Sequence, residues 1–228
     1  MSIWRSSLFL LSFIFSSATL ADGISVGATR VIYDARNKEA SMTVLNNYST
    51  AYLIQSWIEN GKEEKSDSFI VTPPLFRLDG KKENMLRIVR VKEDMPVDRE
   101  SVYWLSIKAI PPAPDSDKNT LQLAIKTRMK MFYRPEGIQG KPEEAYSKLI
   151  WKLNGDQLQV INDSAYAVVI SRVMVDGGEM GKVDFVAAKD SLVIPNVNKK
   201  SIRRGSVVKY GVINDFGGNT SAYQGVVQ

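Results

Sequence analysis

The feature that most constrains the fold is a succession of short runs in which Val, Ile, Thr, Tyr, Phe and Trp alternate with polar residues. Alternation with a period of two is typical of half-buried β-strands, and turn-forming residues recur about every eight to twelve residues. No convincing amphipathic helix is visible, and only 142–148 suggests a single helical turn. The pattern predicts an all-β chain with two series of strands: 23–33, 40–46, 51–59, 68–78, 84–91, 101–109 and 120–133, then 148–153, 156–162, 166–175, 181–187, 191–194, 205–213 and 222–227.

The segment 134–144 separates the two series. It is rich in proline, glycine and charge and lacks an apolar period, which is typical of a domain boundary. In the second series, Asn154-Gly155 lies between two alternating runs and is a strong hairpin signal. Two sets of short strands predict two immunoglobulin-like β-sandwiches in tandem. We expect an N-terminal domain over 22–138, a linker over 139–145 and a C-terminal domain over 146–228.

The first residues have the organisation of an export signal. Arg5 supplies a positive charge, residues 8–15 (LFLLSFIF) form an apolar core, and residues 16–21 (SSATLA) are mostly small. We expect residues 1–21 to be a signal peptide that is cleaved after Ala21. The apolar run is too short to span a bilayer, and no later run is longer. The sequence therefore predicts a soluble protein that is exported across the cytoplasmic membrane.

The chain contains no cysteine and no histidine. This composition excludes disulfides, Cys/His zinc sites, a cysteine nucleophile and a Ser-His-Asp triad. The net charge is only +5, and the cations are scattered in pairs such as Lys81-Lys82, which indicates solvated loops rather than a nucleic-acid surface. Acidic pairs such as Glu63-Glu64 also lie in predicted loops. We therefore expect no enzyme activity, no cofactor and no metal.

Four segments that follow one another in the chain resemble one family. They are 27–33 (GATRVIY), 98–104 (DRESVYW) with 108–112 (KAIPP), 121–135 (LQLAIKTRMKMFYRP) and 213–217 (INDFG). Residues 52–57 (YLIQSW) and 69–76 (FIVTPPLF) agree with the same family. These segments are similar to the signature segments of the PapD/FimC-like periplasmic pilus chaperones. The resemblance covers the chain from residue 23 onward and is densest over 23–135.

This resemblance implies two immunoglobulin-like domains in a boomerang arrangement, with a cleft that holds the end of a pilus subunit. Such subunits are sandwiches that lack their last strand, and the chaperone fills the open groove by donor-strand complementation. Here the donor strand matches 120–131, with Leu121, Leu123 and Ile125 on one face. The alternation alone leaves a second interpretation open, because a strand with one aliphatic face commonly packs that face into its own core.

The resemblance also implies roles for five charged residues. Arg30 and Lys130 match the pair that holds the terminal carboxylate of the subunit at the bottom of the cleft. Glu100, Arg134 and Asp215 match a trio that joins the two domains by salt bridges. Lys130 has the opposite parity along its strand to the three aliphatic residues, so the sequence leaves open whether it lies on the cleft face.

The connection from Ile110 to Thr120 is short, rich in proline and not flanked by cysteine. Within the family, this is similar to the short-loop branch that serves rod-like pili with tip adhesins. The implied partners are pilus subunits, including a tip adhesin, and the outer-membrane usher, with neither nucleic acid nor membrane insertion. The sequence leaves open whether the free protein self-associates.

The resulting expectation is a non-enzymatic periplasmic chaperone that binds and folds pilus subunits and delivers them to the usher. One alternative is a tandem β-sandwich that serves as a structural or adhesive subunit of a surface fibre. Pilins typically carry a cysteine pair and a single incomplete domain, and this chain has neither feature. An exported enzyme is a further alternative, but only carboxylates would remain for its chemistry.

Overall fold

The structure is a computed structural model that describes residues 23–113, 121–196 and 201–228. The predicted signal peptide over 1–21 and most of the connection from Ile110 to Thr120 lie outside the described residues. The described chain forms two β-domains, as the strand pattern predicts.

Two sheets make up the first domain, with strand orders β1-β3-β7-β5 and β2-β9-β8-β4-β6. All neighbouring strands are antiparallel except β2 and β9, which are parallel. The strands are β1 (Ile24–Val26), β2 (Arg30–Asp34), β3 (Glu39–Asn46), β4 (Tyr52–Glu59), β5 (Phe69–Thr72), β6 (Leu75–Leu78), β7 (Glu83–Arg90), β8 (Ser101–Ile110) and β9 (Ile125–Arg134).

Two of the predicted strands are each divided between the two sheets of the first domain. β1 pairs with β3, whereas β2 pairs with β9 in the opposite sheet after a break at 27–29. β5 pairs with β7, whereas β6 pairs with β4 after Pro73-Pro74. The sequence predicts single strands over 23–33 and 68–78, and both predictions are wrong in this respect. In the second case the reason is local, because proline has no N–H for a ladder.

The second domain has a sheet of order β10-β11-β15 and a sheet of order β13-β12-β16-β17, in which β14 also pairs with β12. The predicted hairpin at Asn154-Gly155 is confirmed, since Asn154 pairs with Gln157 and Gly155 has the positive φ that glycine tolerates. The elements are α1 (Pro142–Tyr146), β10 (Ile150–Asn154), β11 (Gln157–Asn162), β12 (Val168–Val175), β13 (Gly178–Glu179), β14 (Phe185–Val186), β15 (Asp190–Ile194), β16 (Val207–Ile213) and β17 (Tyr223–Val226).

Each domain has its own apolar core. Leu86, Ile88 and Leu105 are fully buried in the first, and Leu158 and Val208 in the second. Burying a large aliphatic side chain contributes roughly 1.5–3 kcal/mol, and the chain has no cysteine for a disulfide. Packing of these cores is therefore the main source of stability.

A third, smaller cluster joins the domains. Phe132 of β9 packs with Ala167 and Val169 of the second domain, and Ile32 and Phe185 are partly buried against them. This contact brings β2 and β9 of the first domain against the 167–169 segment and β14 of the second. The junction forms the floor of the site described below.

Candidate functional site

Three aliphatic side chains near the start of β9 remain exposed to solvent. Leu121, Leu123 and Ile125, called the aliphatic ridge below, are 85%, 66% and 60% exposed. The sequence predicts a strand from residue 120, but the ladder begins at Ile125, so Leu121 and Leu123 lie before it. Farther along the same face of β9, Met129 and Met131 are buried in the core. The ridge is therefore not sealed inside its own sandwich.

The ridge borders a groove at one end of the first domain. The groove has a volume of about 460 Å³, and Tyr52, Ile107 and Ala109 also line it. Apolar side chains beside an open groove are a typical docking surface for another apolar segment. The ridge and this groove together make the end of the sandwich an apolar surface.

The backbone edge of β9 is also incompletely paired. β8 pairs with residues 125–133 along one side of the strand. On the other side β2 pairs only with residues 130–134. Within the described ranges, residues 125–129 have no ladder partner on that side. Such an edge presents backbone N–H and C=O groups that can pair with an additional strand.

Arg30 and Lys130 lie where this free edge ends. They are register partners at the first position of the β2–β9 ladder. Arg30 Nη1 donates to the carbonyl of Ile213 at 3.3 Å, and its guanidinium carbon lies 5.9 Å from the ring centre of Phe132. Arg30 Nε is buried and has no hydrogen-bond partner among the described residues. Burial lowers the pKa of Arg30, and nearby carboxylates, chiefly Asp215, offset part of that shift.

Lys130 faces the second domain. Its ammonium Nζ donates to Asp184 Oδ1 at 2.5 Å and lies 5.8 Å from the ring centre of Phe185. Because successive residues of a strand point to opposite faces, Lys130 and the aliphatic ridge lie on different faces of β9. The sequence leaves open which face of β9 carries Lys130. In the structure, Lys130 lies on the face that is directed at the cleft between the domains.

Glu100, Arg134 and Asp215 meet at the junction of the domains. Arg134 Nε donates to Glu100 Oε1 at 2.6 Å, and Arg134 Nη2 donates to Asp215 Oδ2 at 2.9 Å. Glu100 Oε2 also accepts the backbone N–H of Ala167 at 2.9 Å. Burial raises the pKa of Glu100, and the charge of Arg134 offsets part of that shift. The trio thus links β8 and β9 to the second domain through hydrogen-bonded charges.

Asp184 and Phe185 are absent from the sequence-based site prediction. Phe185 begins β14, and its ring packs edge-on against Trp104 of β8 with 5.9 Å between ring centres. No local motif marks either residue, because they reach the cleft only through the packing of the second domain. The cleft floor is therefore built from both domains.

Comparisons with known proteins give the same result for both halves of the chain. Residues 23–139 match the family described as pili and flagellar-assembly chaperone, PapD N-terminal domain, and residues 144–224 match pili assembly chaperone PapD, C-terminal domain. The chain belongs to the PapD family of pilus-assembly chaperones. It is a chaperone of pilus assembly, and fimbrial chaperones of this kind act in the periplasm. The alternative of a structural fibre subunit is not favoured.

Individual relatives agree with this assignment. The chaperone is 43% identical to the probable fimbrial chaperone LpfB of Escherichia coli O157:H7, over 91% of this chain and 90% of LpfB. It is 37% identical to the chaperone protein FimC of Escherichia coli strain K12, over 90% of this chain and 85% of FimC. A chain in the structure of the Salmonella enterica SafA pilin in complex with the SafB chaperone superposes with a TM-score of 0.81, at 32% identity and over 92% of this chain and 98% of that one.

A buried carboxylate organises the cleft face of the chaperone beside Lys130. Glu59 accepts Trp57 Nε1 at 2.7 Å, Lys126 Nζ at 2.6 Å and Arg128 Nε at 2.9 Å. Arg128 lies over the ring of Trp104 at 4.4 Å. Burial alone would raise the pKa of Glu59, but the hydrogen bonds, led by that of Lys126, hold it below the ordinary value of a glutamate. This cluster holds two cations along β9, and it is absent from the sequence-based site prediction.

Over 23–113, 121–196 and 201–228, no group of three or more acidic, histidine or cysteine side chains is arranged to hold a metal ion. Over the same ranges, no helix has the length and apolar character needed to cross a bilayer.

Proposed function

We propose that the chaperone binds a pilus subunit by adding its own β9 and the aliphatic ridge to the incomplete sandwich of the subunit. The observation that carries this proposal is that an exposed ridge and an unpaired edge of β9 lie together, with Arg30 of β2 and Lys130 of β9 at the point where that edge ends. An apolar strand edge left open would promote aggregation, and a partner that covers the edge would prevent it. The structure of a SafA pilin with the SafB chaperone supports a partner of the same class.

The direction of the bound strand follows from the ladder. A subunit strand along residues 125–129 would lie on the side of β9 that β2 occupies from Lys130 onward. If its terminal carboxylate reaches Arg30 and Lys130, it must run from Ile125 toward Lys130, parallel to β9. It would then lie end to end with β2. Only a chain end fits, because the start of β2 blocks further extension.

Two kinds of interaction would stabilise the complex. Each ridge side chain that enters an apolar groove contributes roughly 1.5–3 kcal/mol before ordering costs, and each added backbone hydrogen bond about 1 kcal/mol. Arg30 and Lys130 would donate charge-assisted hydrogen bonds to the carboxylate, each worth roughly 1.5–3 kcal/mol. The ridge would supply most of the affinity, and the cations would fix the register.

The proposed function also includes export, delivery of the subunit and a division of the chain into domains. We infer that residues 1–21 direct export and are removed, that binding is stoichiometric without a catalytic step, and that the outer-membrane usher receives the subunit. We assign the subunit-binding domain to 22–138, the linker to 139–145 and the second domain to 146–228. The salt-bridged trio of Glu100, Arg134 and Asp215 would fix the angle between the domains.

Co-expression with a pilin tests the proposal. The chaperone is tagged and co-expressed in the periplasm with pilins of the SafA type and with pilins encoded beside its own gene. Arg30→Ala and Lys130→Ala should abolish recovery of the complex, whereas Arg77→Ala, an exposed arginine on β6, should not. Equal recovery with all three variants would overturn the assignment of Arg30 and Lys130 as the carboxylate anchor.

A further inference from the structure

One carboxylate of the second domain already forms an ion pair with the ammonium of Lys130. Asp184 Oδ1 lies 2.5 Å from Lys130 Nζ, in the position of a direct ion pair. Asp184 is held in place by its backbone, because its carbonyl accepts the N–H of Ile170 at 3.3 Å and the next two residues form β14. The fold therefore fixes the backbone of Asp184 beside Lys130, within reach of the ammonium.

The two members of this pair differ in their freedom to move. The Lys130 side chain is 18% exposed, whereas that of Asp184 is 60% exposed. The ring of Phe185 lies beside the ammonium as well, and it would remain there if the carboxylate left. Rotation of Asp184 into solvent would break the pair at small cost and leave Lys130 in position. Asp184 is thus the displaceable partner.

Arg30 has no equivalent partner. Among the described residues no carboxylate lies within 4.0 Å of its guanidinium, and Nε makes no hydrogen bond. Three cations and three carboxylates meet around the cleft floor, so their formal charges cancel in the unbound protein: Arg30, Lys130, Arg134, Asp184, Asp215 and Glu100. A carboxylate arriving from a partner would add a negative charge to a neutral cluster unless Asp184 moved away.

We propose that Asp184 competes with the terminal carboxylate of the subunit for Lys130 and thereby limits how tightly the cleft holds a subunit. This inference rests on the proposed function, since it takes Arg30 and Lys130 as the carboxylate anchor. Its consequence is an exchange of partners. The incoming carboxylate replaces Asp184 on Lys130 during binding, and Asp184 returns to Lys130 during release, so that the ammonium is never left unpaired.

The test compares binding of peptides with and without a terminal charge. C-terminal strands of pilins, beginning with that of SafA, are synthesised as free acids and as amides, and the free acid that the parent chaperone binds best is used. Asp184→Asn should bind the free acid roughly three- to tenfold more tightly than the parent, the range of a partly exposed ion pair, and should leave the affinity for the amide unchanged. Asp156→Asn, which removes an exposed carboxylate from the hairpin of the same domain, should change neither affinity.

Arg30→Ala distinguishes a failure of the competition by Asp184 from a failure of the proposed carboxylate anchor. If Asp184→Asn leaves the affinity for the free acid unchanged or lowers it while Arg30→Ala abolishes the preference for acid over amide, the competition is wrong and the proposed function stands. If Arg30→Ala has no effect either, the anchor itself is wrong. Asp184→Ala must change the affinity in the same direction as Asp184→Asn, and thermal unfolding of both variants verifies that the fold is retained.

Discussion

Arg30 and Lys130 are register partners at the first position of the parallel ladder between β2 and β9. On the side of β9 that β2 occupies from Lys130 onward, the backbone of residues 125–129 has no ladder partner within the described chain. The two cations therefore mark the boundary between a strand edge that is filled by the chaperone itself and an edge that is open. If the proposed function is right, this arrangement would suit a chain end rather than the middle of a chain.

The first prediction concerns the trio at the domain junction. Arg134→Ala should lower the free energy of unfolding by about 3–5 kcal/mol, because it leaves the carboxylate of Glu100, whose side chain is 2% exposed, without its charged partner. Asp215→Asn should lower it by about 1 kcal/mol or less, since Asp215 is 29% exposed and the amide can still accept a hydrogen bond. Urea denaturation measures both, and equal losses would contradict the different roles of the two carboxylates.

The second prediction is a pH dependence that comes from Glu59. Its pKa is lowered in the folded chain, so on acidification the unfolded chain takes up the proton first. The stabilisation is therefore complete above the pKa of Glu59 in the unfolded chain and is lost as the pH falls through its lower pKa in the folded chain. Chemical denaturation measures the free energy of unfolding as the pH falls. Glu59→Gln should remove this part of its decrease, whereas Glu83→Gln, at an exposed position, should retain it. An unchanged slope in Glu59→Gln would show that the buried cluster does not control acid stability.

The third prediction uses a glycine at the domain junction. Gly217 has a φ of +84°, and a Cβ there would overlap the side chain of Thr29, the residue before Arg30. Gly217→Ala should therefore destabilise the protein by roughly 1–3 kcal/mol and weaken subunit binding through a displaced Arg30. Gly177→Ala is the matched control, since its φ is +80° but nothing lies within 4 Å of the added methyl group. Gly177→Ala should lower the free energy of unfolding without weakening subunit binding. Equal subunit binding by Gly217→Ala and Gly177→Ala would show that the contact with Thr29 does not position Arg30.

Much of the fold follows from local patterns. Period-two alternation predicts most strands, and the Asn154-Gly155 signal predicts its hairpin, because turn chemistry is local. The division of the strand over 23–33 could not be predicted, since it depends on which sheet each half completes. The predicted strand over 181–187 is reduced to Phe185–Val186 for a similar reason: its neighbours in the fold, not its alternation, determine how much of it pairs.

The site shows the same distinction between local and tertiary information. The resemblance to a known family points to Arg30 and Lys130, and the structure places them opposite each other. The alternation along β9 does not by itself tell whether Lys130 lies on the cleft face, because the strand presents its ridge on one face and its cations on the other. Asp184 could not be found from sequence, since an isolated aspartate before a two-residue strand carries no signal until the second domain is folded against the first.

The most direct test of the account asks whether a subunit covers the aliphatic ridge. The chain has no cysteine, so Leu123→Cys and Met85→Cys each introduce a single thiol for maleimide labelling. Leu123 is 66% exposed on the ridge, and Met85 is 53% exposed on the other sheet of the same domain. In the purified complex with a pilin, Leu123→Cys should react more slowly than in the free chaperone, by about tenfold or more, while Met85→Cys reacts at an unchanged rate. Equal labelling of Leu123→Cys in the free and bound states would contradict donation of this strand to the subunit.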